Sequence, residues 1–396
     1  MLKRALEPSL RLAATEYPIV ALLGPRQSGK TTLVRYVFAQ HHYLSLEDLD
    51  TREHARRDPR DFLEINRNPH GLIIDEAQHV PELFSYLQTT VDQDKRRGYF
   101  ILTGSQNFSM NAAITQSLAG RIAILTLLPL SIAELKTNGV LPTQIEVLMF
   151  QGLYPSIYAT DQLPQPRPAQ WYTNYIRSYI EKDVRQIKNI TNLSDFQRFM
   201  QLCAARTGQI LNLSTISIEC GVTVSTAKAW LAILEASYII YLLQPHSSGF
   251  KKRLVKAPKL FFFDSGIVCA LLKLNTLEKV TLESTIKGNI FESIIITELA
   301  KAYYNQDRPP QLYFWRDKTG HEVDCVIDQG THLVPVEIKF TKTFKAELLQ
   351  GLNYWNQLAA TDPQRSFLIY GGIQRQTRSQ INILGWSNTA ELVTPD

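Results

Sequence analysis

The apolar residues of this 396-residue chain fall into short runs separated by polar, glycine-bearing or proline-bearing stretches. The run Ile19, Val20, Ala21, Leu22, Leu23 predicts a buried strand, and residues 32–40 read as the helix that follows it. Further apolar runs at 71–74, 99–103 and 122–128 predict companion strands. They are continuous rather than alternating, which suits a parallel sheet covered on both faces. Prolines at 164, 166 and 168 cannot continue a helix and predict a linker over 163–168. Helices are expected over 169–188 and 194–205. A helix over 213–219, a glycine-bearing turn, a second helix over 226–236 capped by Ser225, a strand over 238–243, a turn at 246–249 and a returning strand over 260–263 follow. That order of helix, turn, helix and hairpin is the pattern of a winged helix. In the last hundred residues a helix over 287–304 precedes paired strands over 322–327 and 334–340 around the turn 328–331. Strand alternation puts Glu337 and Lys339 on one face, opposite Val336 and Ile338.

Length and composition bound this picture. The chain is too long for one compact core, so three parts are expected, 1–160, 161–275 and 276–396. Hydrophobic residues at 44% with 20% charged are ordinary for a folded protein. The longest apolar runs, such as 236–243, are too short to span a bilayer, and the N-terminus lacks the apolar core of a signal peptide, so a cytoplasmic location without a membrane partner is expected. Cys203, Cys220, Cys269 and Cys325 are scattered without a Cys-x-x-Cys pair and predict buried thiols. The formal charge of +5 permits nucleic-acid binding without demanding it. Local basic clusters are Lys95-Arg96-Arg97, and Lys251-Lys252-Arg253 with Lys256 and Lys259 nearby. Most such runs are solvated faces. The second lies where a wing would touch phosphates, although Ser225, Thr226, Lys228 and Trp230 offer the second helix little base-reading chemistry.

The densest chemical signal is Gly24, Pro25, Arg26, Gln27, Ser28, Gly29, Lys30, Thr31 and Thr32, a complete P-loop between the first strand and its helix. A triphosphate needs many donors converging on crowded negative charge without side chains in the way. Glycines and a helix N-terminus supply them. Lys30 is expected to reach the β- and γ-phosphates, and Thr31 to offer its hydroxyl to Mg²⁺. The cofactors implied are ATP and Mg²⁺. Asp75 and Glu76 end the strand 71–74 where ligands of open α/β sheets sit. Asp75 then serves the metal, and Glu76 orients or deprotonates the attacking water. After the strand 99–103, a γ-phosphate sensor is sought among Thr103, Ser105 and Asn107. Arg121 is a candidate to approach the γ-phosphate in cis or from a neighbouring subunit, against the plainer reading of a surface arginine opening a strand.

The runs Gly-Pro-Arg-Gln-x-Gly-Lys-Thr-Thr-Leu, Ile-Ile-Asp-Glu-Ala-Gln, Leu-Thr-Gly-Ser and Leu-Ala-Gly-Arg resemble the bacterial and archaeal AAA-type ATPases that carry an uncharacterised C-terminal domain. The likeness continues through Gln151-Gly152-Leu153-Tyr154-Pro155, 179–184, Phe263-Asp264-Ser265-Gly266 and Val336-Glu337-Ile338-Lys339. It implies an α/β fold with a P-loop sheet, and it makes a homo-oligomer plausible.

A second constellation is Glu292, Asp324, Glu337 and Lys339. Asp324 and Glu337 would bind Mg²⁺, Lys339 would position or activate water, and Glu292 would add a ligand or support. The arrangement resembles the PD-(D/E)xK nuclease fold, with Val323-Asp324 for one half of the motif and Glu337-Ile338-Lys339 for the other. An Asp facing Glu-x-Lys is also an ordinary cross-strand ion pair. The expectation is an ATP hydrolase controlling a nucleic-acid-directed C-terminal domain of nuclease type, with DNA as partner. The alternative is an ATP-dependent switch that binds a protein or DNA and cuts nothing.

Overall fold

The computed structural model describes the chain except residues 106–116, 160–165, 180–191, 247–254 and 394–396. Half of the predicted linker, 163–165, and the cluster Lys251-Lys252-Arg253 therefore lie outside the described residues.

Five strands, β1 (Ile19–Gly24), β2 (His42–Ser45), β3 (Leu72–Asp75), β4 (Phe100–Ser105) and β5 (Ile122–Thr126), form a parallel sheet in the order β2-β3-β4-β1-β5. Every residue of β1 is buried because both faces are covered. Ile19, Ala21 and Leu23 pack with Phe62, Phe84 and Leu87 of the helices Pro59–Ile65 and Leu83–Gln93. Val20 and Leu22 point the other way, onto Leu10 of Glu7–Glu16 and Leu33 of Lys30–Val37. The α/β class and parallel sheet read from the apolar runs are what the structure has.

The remaining strands are β6 (Gln209–Ile210), β7 (Ile240–Pro245), β8 (Lys259–Phe262), β9 (Leu312–Arg316), β10 (Glu322–Asp328), β11 (Leu333–Lys339), β12 (Phe367–Tyr370), β13 (Gln376–Arg378) and β14 (Ile381–Gly385). They make one nine-stranded sheet, β13-β14-β12-β11-β10-β9-β7-β8-β6. The predicted hairpin is present as β7 and β8, antiparallel, and β7 also pairs in parallel with β9 through Gln244 and Pro245. The sheet thus crosses the expected boundary at 275, and one apolar core runs from Leu128 to Val393.

Local chemistry explains most element ends. The helix Leu213–Cys220 stops at Gly221, whose φ of 71° is left-handed. The next helix, Val224–Ala236, starts earlier than predicted because Thr223, not Ser225, accepts the capping bond from the Thr226 amide. Trp230, weighed above for base reading, is buried edge-on against Phe196 and Phe199. Two runs far apart in sequence meet at Asp264, which caps Ser265–Leu271 and accepts from the Leu153 amide at 2.6 Å and the Tyr172 hydroxyl at 3.2 Å.

Candidate functional site

The P-loop connects β1 to the helix Lys30–Val37. Gly24 sits at φ 147°, and a Cβ there would run into the Leu127 carbonyl. Gly29 caps the helix from the left-handed region at φ 94°, so the helix begins two residues before its predicted start. The Lys30 ammonium is buried and donates to the carbonyls of Gly24 at 3.0 Å and Pro25 at 2.9 Å. The Ser28 hydroxyl is buried without a partner.

Parallel register brings the second half of the site to the same sheet edge. Ile74 pairs with Leu102 and Gly24 with Ser105, so the carboxyl ends of β1, β3 and β4 converge. Asp75 gathers three hydroxyl donors: Thr31 at 3.0 Å to each carboxylate oxygen, Tyr43 at 2.7 Å, and the buried Thr103. Burial, followed by the bond to Asp75, pushes the Tyr43 hydroxyl up to about 12. Glu76 turns out of β3 at φ 57°, a left-handed conformation costing a non-glycine residue roughly 1–2 kcal/mol. Gln78 donates to its carboxylate. A cavity of about 830 Å³ joins Arg26, Lys30, Thr31 and Glu76 to Val140 and Tyr175 from beyond the sheet. Its volume and its floor of Gly29, Lys30 and Thr31 at a helix N-terminus suit a nucleoside triphosphate. The all-oxygen pair Thr31 and Asp75 suits a divalent cation.

Arg121 is elsewhere. It precedes β5, whose Ile122 pairs with Ile19 at the opposite end of the sheet from Gly24. Six residues of strand separate the two ends, about 17–20 Å, and Arg121 there grips Asp92 with bonds of 2.6 and 2.9 Å. Register excludes the cis role and leaves the neighbouring-subunit alternative and the plainer reading of a surface arginine opening a strand. The Ser105 backbone lies beside Gly24, whereas Asn107 lies outside the described residues.

Sequence reasoning missed Arg4. This arginine, 7% exposed, donates to the Ser28 carbonyl of the P-loop at 2.6 Å, to the Leu128 carbonyl at 2.6 Å and to Glu134 at 2.9 Å. Glu134 closes a capping box with Ser131 on the helix Ile132–Thr137. The same helix start is held from the far side by Glu298 of Ser284–Tyr304, which accepts from the amides of Ile132 at 2.7 Å and Ala133 at 3.1 Å. Lys301, one turn on, donates to the Leu130 carbonyl at 3.1 Å. Burial lowers the Lys301 ammonium to about 8, with Glu298 opposing the shift.

The C-terminal constellation is assembled, though not as an open carboxylate pair. Lys339 bridges Asp324 at 3.0 Å and Glu337 at 2.6 Å, and the Ile338 amide donates to Asp324 at 2.8 Å. The pairing of β9 with β10 slips by one residue between Val323 and Val326, a bulge at Asp324 that simple alternation does not foresee. Glu292 is here as well, but it accepts from Lys259 at 2.8 Å. Lys259, read above as part of a phosphate-facing basic cluster, is 3% exposed, also pairs with Glu322, and lies 4.0 Å from Asp324. Arg316 holds Glu322 from outside at 3.0 Å. Among the described residues no three acidic, histidine or cysteine side chains are placed to hold a metal ion, so the expected ligand set of Asp324, Glu337 and Glu292 does not fit one in this arrangement. The only sequence signals for Lys259 and Glu322 were a lone charge before the apolar run 260–263 and an acid two residues before Asp324.

Burial and then the Asp324 charge raise Glu337 to about 8, against the pull of Lys339. Burial raises Glu292 to about 7 against Lys259. Both groups bind protons more tightly folded than unfolded. Their stabilising contribution is complete below about pH 4.5 and is lost as pH rises through 7 and 8. Thermal unfolding scans from pH 5 to 7.5 are expected to show the wild-type midpoint falling relative to that of Glu337→Gln. A difference that stays flat or rises would contradict this.

Loop, lysine, acceptor carboxylate and strand order together make a P-loop ATPase-like domain. Residues 16–136 match the family described as an AAA domain. Residues 142–278 and 287–388 match two domains of unknown function, DUF8612 and DUF4143. Uncharacterized proteins of Mycobacterium bovis and Mycobacterium tuberculosis are each 28% identical over 335 residues, covering 84% of this chain and 73% of theirs. Among solved structures, the Walker-type ATPase PABY2304 of Pyrococcus abyssi aligns over 68% of this chain and 96% of its own with a TM-score of 0.45 and 16% identity. The RuvB Holliday junction branch migration motor of Thermotoga maritima aligns over 60% and 86% with a TM-score of 0.28 and 16% identity. Among the described residues no single helix is long and apolar enough to cross a membrane.

Proposed function

We propose that this protein is an ATP hydrolase whose nucleotide state controls a nucleic-acid-directed C-terminal half. The observation that carries the proposal is the meeting of Lys30, Thr31 and Glu76 on one cavity, with Asp75 bonded to Thr31, and with a far wall, Val140 and Tyr175, that belongs to the rest of the chain. Lys30 and the loop amides bind and orient the phosphates, and Thr31 and Asp75 hold the cation's coordination shell. When bound, Mg²⁺ supplies neutralisation of charge on the β- and γ-phosphate oxygens. Glu76 takes or orients the proton of the attacking water.

For the nucleic-acid part, the helices Leu193–Ala205, Leu213–Cys220 and Val224–Ala236 with the strands β6, β8 and β7 at the end of the large sheet follow the order of a winged helix. Lys228 and Lys256 on it are exposed. The nuclease reading draws on one observation, the convergence of Asp324, Glu337 and Lys339 on β10 and β11 behind a long helix. The alternative of a switch that grips DNA or a protein without cutting draws on the lysines filling that cluster. The experiment is ATP hydrolysis and duplex-DNA binding by wild type and Glu76→Gln. The variant is expected to keep ATP affinity, lose hydrolysis by 10²–10⁴-fold, and hold the protein in one DNA-binding state. Unchanged hydrolysis would remove Glu76 from its role, and DNA affinity indifferent to nucleotide would remove the coupling.

A further inference from the structure

We infer that Lys259 is the resident cation of the C-terminal acid cluster, and that while β8 is in place the cluster takes no divalent metal. The inference rests on the nuclease-type reading of Asp324, Glu337 and Lys339 and specifies what state that site is in. Lys259 enters from β8, outside the strands and helix that carry the acids. It stands nearly excluded from solvent against Glu292, Glu322 and Asp324. A buried ammonium survives only where carboxylates compensate its lost hydration, and here three do so.

The distribution of cations leaves little for a metal. Lys339 takes one oxygen each of Asp324 and Glu337, Lys259 takes Glu292, and Glu322 is shared by Lys259 and Arg316. Four carboxylates thus face three cations, so even fully ionised they carry only a single net negative charge. A divalent ion entering would stand within a few ångströms of two ammonium groups, and it would have to strip Glu292 and Asp324 from them. Among the described residues Glu337 Oε2 is buried and without a hydrogen-bond partner. The route to an open site is displacement of Lys259, which β8 carries between β7 and β6 and beside the long helix, where Ser293 bonds the Phe262 backbone.

The test is Mn²⁺ binding to the full chain without nucleotide or nucleic acid, followed by the electron paramagnetic resonance signal of free Mn²⁺. Wild type, Asp324→Asn, Lys259→Met and Lys259→Met with Asp324→Asn are compared. Wild type is expected to bind no Mn²⁺ that Asp324→Asn removes. Lys259→Met is expected to gain one equivalent that the double variant loses. Asp324-dependent Mn²⁺ binding by wild type would overturn the inference, and so would a folded Lys259→Met that gains nothing. Should Lys259→Met lose its far-ultraviolet circular dichroism, Lys259→Gln, which keeps a donor for Glu292, is titrated in its place and decides by the same criteria. Cutting is read separately: Lys259→Met that binds Mn²⁺ yet leaves DNA intact would sink the nuclease reading and leave the assignment of Lys259 standing.

Discussion

Lys30→Ala is expected to lower ATP turnover by at least 10²–10³-fold, the usual cost of removing one preorganised charge-stabilising donor from a phosphoryl-transfer site. The ammonium already sits over the loop, held by the Gly24 and Pro25 carbonyls, so it meets the phosphates without first being ordered. Its charge is what the alanine removes. Lys30→Met keeps the aliphatic stem and the packing, and it is expected to lose the same activity, which separates charge from bulk. Phosphate release at saturating ATP, beside binding of a fluorescent ATP analogue, reads the two effects apart. Turnover within tenfold of wild type in both variants would mean that hydrolysis does not run through this loop.

Arg4→Met is the variant expected to cost the most stability. It leaves Glu134 buried without its counter-charge, and it strips the Ser28 and Leu128 carbonyls of their donor. Breaking a buried pair from one side costs about 3–5 kcal/mol. The Ala5 and Ser131 amides still donate to Glu134, which places the expectation toward the lower end. Urea denaturation measures the loss. Nucleotide affinity should fall with it, because the Ser28 carbonyl that Arg4 fixes lies inside the P-loop. Arg4→Lys restores the charge opposite Glu134 but not the fork that reaches two carbonyls, so it is expected to recover part of the stability and little of the affinity. Full recovery of both by lysine would show that only the charge matters there.

The Arg4 contacts also bear on how the two halves communicate. From the P-loop, Arg4 leads to Glu134, whose helix start is shared with Glu298, and Glu292 stands on the same long helix facing Lys259. Each junction is a buried charge or a capped helix end, which resists sliding more than apolar packing does.

How much of this was legible beforehand depended on distance along the chain. The P-loop was readable whole, because its donors come from nine contiguous residues whose glycines and strand-to-helix turn dictate local backbone shape. Asp75 and Glu76 were readable because a short apolar run ends at them. The paired helices and hairpin of the middle region were found to within two or three residues at each end. Their small errors came from competition between neighbouring hydroxyls, as at Thr223 and Ser225. The convergence of Asp324, Glu337 and Lys339 also followed from strand pairing.

Tertiary structure alone decided the rest. Whether Arg121 stands at the nucleotide end or the opposite end of the sheet is set by strand register, which brings Ile19 beside Ile122. Whether Lys259 faces a phosphate or an acid cluster is set by the pairing of β7 with β9, which carries the hairpin into the C-terminal sheet. Arg4 sits in a polar stretch that announces nothing, and it finds its partners at residues 28, 128 and 134. Backbone conformation is encoded by adjacent residues, so motifs built from backbone donors survive in the sequence. The partner of a buried charge is whichever distant group shares its low-dielectric volume, and only the folded chain defines that volume.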